Sequence, residues 1–494
     1  MSILLDVQKN TGAAGTFRAA VLYGALLLCM IEAFNDTATA VIVGALAALM
    51  ATRDLGTWIM FIAASQIVPD PLQSPLTLAQ LGVCAWIIRR GPALTRQSFR
   101  LPSRFLLLCT PFCAWMAVAA VINRTMPEYN IWFGVAVGAI TLTYVKPGQP
   151  FHRVTAWALV VGTSYVVSAN VLSLLGVPVV STTYDVSVVR GAVQTFQRFG
   201  VGRGDANLTG VTCAVLVAAL FGLWASSSLR SRTRTMLTAA GLAGAIIVSM
   251  NTYSRAGLYG ALFALAAVVV VGRAGRVSFA IPGDLLIAVL LLAPVVGWFF
   301  FEPLGARLSS YWQQMDLRNQ DDSLYRMEGA SAGLVAGRMD AWLTHTRLIL
   351  EFPLTGVRSG TVVDFGEYGE GIAGVNDVWG AAHNVVLEMG SRTGLCGALL
   401  FLYFLLYTPV RALRRGLYPS LVALLATNLT FLFIFCAFSV AGMKTYWICT
   451  AVLFAATLSP RRQGLEVATA PARRSQAHFP AILQRHTASV MRLK

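Results

Sequence analysis

Charged residues are scarce in this chain of 494 residues, because Asp, Glu, Lys and Arg together make up only 12% of it. A soluble domain carries about 25% charged residues, so this scarcity excludes an ordinary water-soluble protein. Hydrophobic residues reach 56%, and the mean hydropathy is +0.66. Together these values predict an all-α, polytopic helical membrane protein.

Long polar segments are equally rare. The chain holds only 22 acidic residues, and half of them lie between positions 302 and 382. A long loop in a compact architecture is usually either functional or disordered. Because this segment also contains Trp, Tyr and Phe and shows helical periodicity, we expect it to be folded and functional.

Several common features are missing as well. No small-residue cleavage site precedes the first apolar run, so we expect a retained signal-anchor helix rather than a cleaved signal peptide. All eight cysteines fall in or beside apolar runs, where neither disulfides nor a cysteine metal site are expected. The pair Asp321–Asp322 has no His or Glu at ligand spacing. We therefore predict neither a metal site nor a cofactor.

Fourteen apolar runs are candidates for membrane helices, although the second to fourth are short for a span of about 20 residues. The runs are 17–34, 37–51, 55–68, 76–88, 104–123, 129–145, 152–177, 207–226, 234–252, 256–272, 284–301, 390–410, 418–438 and 445–458. The sequence thus predicts 12 to 14 transmembrane helices. It divides into N-terminal helices (1–301), a loop domain (302–382), C-terminal helices (383–458) and a basic tail (459–494).

The net charge of +16 is distributed unevenly between the loops. If the N-terminus is cytoplasmic and the spans alternate, each inside loop is basic and nearly free of acid, as the positive-inside rule predicts. The charge is therefore a topology signal rather than a sign of nucleic-acid binding. Both termini are predicted to be cytoplasmic, with the loop domain on the opposite face.

Three polar clusters are predicted at the outer ends of the spans, where charged groups are functional candidates. The first, at 190–210, holds Arg198, Arg203 and Asn207, although Asn207 could also serve as a helix cap. The second is a tight turn carrying Arg255, which could also be a snorkelling boundary residue.

The third cluster begins with the amphipathic helix pattern "GRMDAWLTHTRLILEF", which carries Arg338 and Trp342 and should end at Pro353 and Gly356. It ends at His383 and Asn384, just before the next span. His383 could also be a purely structural residue. Arg recognises phosphate through two parallel hydrogen bonds, and a neutral His is the usual general base near neutral pH. The clusters together fit a substrate that has a pyrophosphate and a hydroxyl to be activated.

These residues also form an ordered series of short motifs. The motifs are Ser254–Arg255; Arg338 with Trp342, Pro353 and Gly356; His383, Asn384, Leu387 and Glu388; and Gly394 with Gly397. In order and spacing the series resembles the bacterial O-antigen ligase and O-antigen polymerase proteins. The similarity covers about Arg198 to Gly397, and the first 150 residues match only in being apolar spans.

The resemblance implies a metal-independent, inverting glycosyltransferase with a GT-C-like fold in the bacterial inner membrane. Its donor would be a glycan on undecaprenyl pyrophosphate, presented at the periplasmic face. Arg255 and Arg338 would hold the pyrophosphate leaving group, and His383 would activate the acceptor hydroxyl. Substrate-binding candidates are Arg198, Arg203, Asn207, Asn384 and Trp342. The implied partners are the acceptor glycan or glycolipid, the lipid bilayer and, for a polymerase, a chain-length regulator.

Three functions remain open at this point. A polymerase would join the growing glycan to another lipid-linked repeat unit, whereas a ligase would move the finished chain to lipid A-core. We favour a polymerase of exopolysaccharide or O-antigen, because the large loop offers surface for two glycans. A transporter of polysaccharide or lipid-linked sugar is the alternative outside this class, although internal repeats and broken mid-membrane helices typical of transporters are not evident.

Overall fold

Fifteen helices and two hairpins make up the part of the chain that this computed structural model describes. That part comprises residues 13–67, 77–90, 99–125, 129–146, 151–177, 179–189, 192–201, 206–226, 232–252, 254–274, 333–364, 370–372, 382–415, 421–436 and 443–458. The predicted span 284–301, most of the first half of the loop domain and the basic tail lie outside the described residues.

The N-terminal half begins with eight helices. They are α1 (Ala13–Asn35), α2 (Thr37–Ala51), α3 (Leu55–Ala64), α4 (Leu78–Arg90), α5 (Arg100–Asn123), α6 (Tyr129–Thr143), α7 (Phe151–Thr163) and α8 (Tyr165–Leu174). Hairpin β1 (Val180–Val189) and β2 (Ala192–Val201) follows, and then α9 (Ala206–Ser226), α10 (Arg232–Asn251) and α11 (Arg255–Ala274).

The C-terminal half contains α12 (Gly333–Glu351), the small hairpin β3 (Val362–Asp364) and β4 (Glu370–Ile372), α13 (Val385–Arg415), α14 (Val422–Phe435) and α15 (Lys444–Leu458). Apart from 284–301, each predicted span coincides with a described helix, the seventh with the nearly continuous pair α7 and α8. The all-α polytopic prediction is therefore confirmed. The two hairpins are additions that the sequence analysis did not predict.

Five of the helical segments are long and apolar enough to cross a membrane. They are Arg100–Asn123, Phe151–Leu174, Ala206–Ala225, Ala256–Ala274 and Val385–Arg415. Of these five, α9 is the most enclosed, because 94% of its apolar stretch is buried. Its neighbours are α7, α10, α11 and α14.

Local sequence explains where the short helices begin. Asp36 caps α2, because its Oδ1 accepts a hydrogen bond of 3.0 Å from the backbone N–H of Ala38. Asp54 caps α3 in the same way, accepting 2.9 Å from the N–H of Thr57. Such caps satisfy backbone donors that a helix start leaves unpaired. They allow α1, α2 and α3 to follow each other with almost no loop.

Aromatic packing joins α5, α13 and α15. The ring of Phe404 lies 5.0 Å from that of Phe112 and 5.2 Å from that of Trp447, measured between centroids. These are normal spacings for stabilising aromatic pairs. Near the start of α5, the ring of Phe105 lies 5.8 Å from that of Phe454, which is near the end of α15. Helices α5 and α15 are therefore antiparallel, and the start of α15 lies beside the C-terminal half of α5.

Contacts between loops confirm which helix ends lie together. At one end, the guanidinium of Arg90 donates a hydrogen bond of 2.6 Å to the carbonyl of Arg53, and its Cζ lies 5.0 Å from the ring centroid of Tyr144. At the other end, the amide of Gln66 donates 3.0 Å to the hydroxyl of Thr445. Each group joins loops that the charge pattern assigns to the same face. The second end also carries the candidate site, and we call it the site end.

We expect Gly134→Ala to lower the melting temperature of the purified protein in detergent. A Cβ atom at Gly134 would lie 2.2 Å from Cδ1 of Trp447, and overpacking a core typically costs about 1–3 kcal/mol. The matched control is Gly24→Ala on α1, where no atom lies within 4 Å of the Cβ position. If both variants melt like the unchanged protein, the packing of α6 on Trp447 is not tight.

Candidate functional site

The start of α13 fixes the position of His383. Oδ1 of Asn384 accepts hydrogen bonds from the N–H groups of Val386 and Leu387, at 3.0 and 3.2 Å, so Asn384 is the N-cap. His383 precedes this cap in the left-handed region, with φ +48°. That conformation is unusual for a residue with a side chain and is typical of functional sites. It holds the imidazole at the positive end of the helix dipole, where anions are favoured.

The predicted substrate contact of Asn384 remains a prediction. Its side-chain oxygen is used by the helix cap, so only the Nδ2 amide could serve a ligand. Trp342 on α12 is partly buried, and its indole Nε1 is buried without a hydrogen-bond partner among the described residues. An unpaired donor of this kind suits a polar ligand group. The prediction that Trp342 binds substrate also stays a prediction.

Helix α13 is broken about three turns after His383. Gly394 has φ +74° and ψ 178°, which no right-handed helix contains. The turn after α12 fits into this break, because the N–H of Leu395 donates 2.7 Å to the carbonyl of Pro353. A Cβ atom at Gly394 would lie 2.3 Å from the carbonyl oxygen of Leu354. Only glycine is compatible with both the dihedral angles and this contact.

Each carbonyl that the break releases finds a new donor. The carbonyl of Ser391 accepts a hydrogen bond of 2.9 Å from the N–H of Val357. The carbonyl of Thr393 accepts a hydrogen bond of 2.9 Å from the indole N–H of Trp115. The carbonyl of Arg392 accepts 3.4 Å from Nδ2 of Asn123. A membrane protein must satisfy such groups internally. Trp115 and Asn123 on α5 therefore complete the hydrogen bonding of the broken helix α13.

The Pro353–Gly356 turn is held against α13 and α5. Gly356 has φ +80°, and a Cβ atom there would lie 2.4 Å from the backbone of Arg392. Asn123 also bonds Thr355, because its Oδ1 accepts 3.2 Å from the Thr355 hydroxyl. The two motifs of the sequence, Pro-x-x-Gly and Gly-x-x-Gly, are thus one structural joint. Its glycines shape the backbone and carry no chemistry of their own.

A buried histidine connects α12 to α13. His345 is fully buried, and its Nδ1 lies 2.7 Å from Oγ of Ser391. That hydroxyl already donates 3.0 Å to the carbonyl of Glu388, so Nδ1 of His345 must be the donor. His345 is therefore a structural residue that sets the position of α12. Arg338 lies two helical turns before it on the same helix.

The structure also shows an ion pair that the sequence analysis missed. Nη2 of Arg392 lies 3.0 Å from Oε1 of Glu388, and the two side chains are only 19% and 17% exposed. Their spacing of four residues is visible in the sequence and places them on one helix face. An arginine within the predicted span 390–410, with a glutamate four residues before it, was the available signal.

The first two clusters meet where α9 crosses α11. Gly257 touches the backbone of Gly210, because a Cβ atom at Gly257 would lie 2.6 Å from Cα of Gly210. Ser254 caps α11, its hydroxyl accepting 3.2 Å from the N–H of Gly257. This crossing places Arg255, the first residue of α11, beside the first turn of α9. Asn207 is the second residue of α9, so it lies inside that turn rather than at its N-cap.

Hairpin β1–β2 is attached to the same place. The N–H of Val201 donates 3.0 Å to the hydroxyl of Thr209 on α9. Arg198 lies on β2 opposite Thr183 of β1, three residues before this attachment. Arg203 lies outside the described residues. The crossing thus gathers Arg198, Asn207 and Arg255 on neighbouring elements.

Both regions lie at the site end. A Cβ atom at Gly260 on α11 would lie 3.3 Å from Cγ1 of Ile434, near the end of α14. The next residue, Phe435, packs 4.8 Å from Tyr446 at the start of α15. Since α15 begins beside the C-terminal half of α5, the starts of α9, α11 and α13 all face the same way. Among the residues described, no group of three or more His, Cys, Asp or Glu could hold a metal.

We expect Asn123→Ala to weaken the joint around Gly394. The carbonyls of Thr355 and Arg392 would lose their donor, and each buried unsatisfied group costs about 1–3 kcal/mol. Thermal unfolding in detergent should show a lower melting temperature. Asn35→Ala, at the exposed end of α1, is the matched control and should melt like the unchanged protein. An unchanged melting temperature for Asn123→Ala would contradict this role.

Comparison with known proteins agrees with the motif series. Residues 240–402 match the family model described as O-antigen ligase. The match includes Arg255, Arg338 and His383 and excludes the first cluster. No curated protein matches the chain. Residues 240–402 are therefore similar to the O-antigen ligase family, and this similarity covers about a third of the chain.

Proposed function

We propose that the protein is a membrane glycosyltransferase that moves a glycan from undecaprenyl pyrophosphate to an acceptor sugar hydroxyl. The observation that carries this proposal is the common position of three helix starts at the site end. Helices α9, α11 and α13 each direct a positive dipole end there, and Arg255 and His383 stand at two of these ends. Such an arrangement favours a ligand with several negative charges.

The chemistry follows from this electrostatic arrangement. The acceptor hydroxyl attacks the anomeric carbon, and the bond from that carbon to the pyrophosphate oxygen breaks. His383 takes the hydroxyl proton, and undecaprenyl pyrophosphate leaves with the electron pair. Arg255 and Arg338 stabilise the negative charge that develops on the leaving group. A single displacement of this kind inverts the anomeric configuration, and it requires no metal.

The remaining candidates have supporting roles in this proposal. Arg198, Arg203 and Asn207 would contact the donor phosphates or acidic sugars, close to the α9–α11 crossing. Trp342 and Asn384 would contact the glycan near His383. We place this site on the periplasmic face of the inner membrane, with both termini in the cytoplasm, since the positive-inside rule supports that orientation.

We expect Arg255→Ala, Arg338→Ala and His383→Ala each to abolish polymer or ligated product. The amount of protein in the membrane should stay unchanged, because each residue acts on the substrate. Glycan gels of a complemented deletion strain measure the product, and immunoblots measure the protein. A matched control is available on α11, where Arg273→Ala removes an exposed arginine from the opposite end of the helix and should retain product. Normal product from His383→Ala would refute the base assignment.

The choice between polymerase and ligase requires the glycan profile of the deletion strain. We favour a polymerase, because the loop domain offers surface for both the donor and the acceptor glycan. A polymerase defect would leave single repeat units on the carrier or on lipid A-core. Full-length polymer stranded on undecaprenyl pyrophosphate would instead identify a ligase. An unchanged profile would contradict both and favour transport of a lipid-linked sugar.

A further inference from the structure

An exposed row of leucines runs along α12 and into the turn that follows it. Leu343, Leu350 and Leu354 are 62%, 75% and 73% exposed. Leu343 and Leu350 are seven residues apart and lie on one face of α12, opposite the buried face formed by Ala341, His345 and Leu348, and Leu354 lies in the turn that follows. We call the three leucines and Arg347, which lies among them, the α12 stripe.

The stripe joins a surface that faces lipid. On α13, the exposed residues Leu395, Leu399 and Tyr403 recur at helical spacing along a span that crosses the membrane. The N–H of Leu395 bonds the carbonyl of Pro353, so the top of this row directly adjoins Leu354. The exposed apolar surface therefore continues from the membrane span onto α12.

The depth of α12 relative to the membrane can be derived from the length of α13. Ser391 contacts His345 and lies twenty residues before Arg411, which at about 1.5 Å per residue is about 30 Å. The hydrocarbon layer of a bilayer is also about 30 Å thick. With Arg411, Arg414 and Arg415 among the headgroups at one boundary, Ser391 lies at the other. Helix α12 is packed against α13 at this level.

We propose that the α12 stripe is a membrane contact, inserted into the headgroup and acyl-chain boundary of the leaflet at the site end. Its leucines would contact acyl chains, and Arg347 would lie among lipid phosphates. Three leucines so exposed are unusual in water but typical of an interfacial amphipathic helix. Leu343 and Leu350 span about 10 Å along the helix axis, and Leu354 extends the stripe into the turn, so contact along its whole length sets α12 parallel to the membrane.

This contact gives α12 a second attachment besides α13. His345 fixes the helix from its buried face, and the bilayer would hold it from the opposite face. Arg338 lies on the same helix and would be kept at the depth of lipid headgroups. A lipid-linked pyrophosphate would present its charges at that depth. The proposed membrane contact nevertheless stands apart from the catalytic roles, because it depends only on exposure and height.

Photo-crosslinking in nanodiscs tests the occupant of the stripe. A diazirine-bearing residue would be introduced by amber suppression at position 343, 350 or 354 of the full chain. The nanodiscs contain phosphatidylethanolamine and phosphatidylglycerol only, and mass spectrometry measures phospholipid adducts. Position 399 on the lipid-facing row of α13 is the positive control. Position 358, an exposed arginine beyond the stripe, is the reference for a surface outside it.

We expect adduct yields at the stripe positions within about threefold of position 399 and at least tenfold above position 358. Yields at all three positions equal to position 358 would overturn the proposal. A second measurement adds undecaprenyl phosphate at a few mole per cent. If polyprenyl adducts then replace the phospholipid adducts, the stripe docks the donor's chain instead, and the proposal is also overturned. The three positions are independent, so one poorly folded variant leaves the test valid.

Discussion

The break in α13 is the constraint on which the site end depends. A helix in a bilayer cannot leave its carbonyls unpaired, because hydrocarbon offers no substitute for water. Val357, Asn123 and Trp115 supply the missing donors, and these donors come from the loop domain and from α5. The turn after α12, the C-terminal end of α5 and the first two turns of α13 must therefore assemble together. His383 begins the segment whose position this joint fixes.

A second joint, between α9 and α11, depends on glycine for a different reason. Gly210 and Gly257 allow two backbones to touch, as small residues do at many helix interfaces in membranes. The contact brings the starts of two helices together and places Arg255 beside Asn207. Close packing and backbone hydrogen bonding thus shape the site before any substrate contact is considered.

The residues of the motif series have two different kinds of role, one in shaping the fold and one in the proposed chemistry. Ser254, Asn384, Gly356 and Gly394 cap helices or permit backbone contacts, so a change at these positions would act through the fold. Arg255, Arg338 and His383 are the members of the series that carry the proposed chemistry, because their side chains can bind phosphate or take a proton. A series of motifs therefore identifies a family more reliably than it identifies catalytic residues.

By itself, the sequence determined the membrane class, the helix positions and the common face of the polar clusters. These properties follow from local apolar length and from loop charge, which act segment by segment. Only the tertiary structure decided that Pro353 and Gly394 form one joint, that Arg392 pairs with Glu388 inside α13, and that His345 is buried. Hairpin β1–β2 was also missed, although Tyr184, Val186 and Val188 alternate with polar residues as in a half-buried strand. The joint between Pro353 and Gly394 and the burial of His345 depend on contacts between residues far apart in the chain, and no local pattern encodes them.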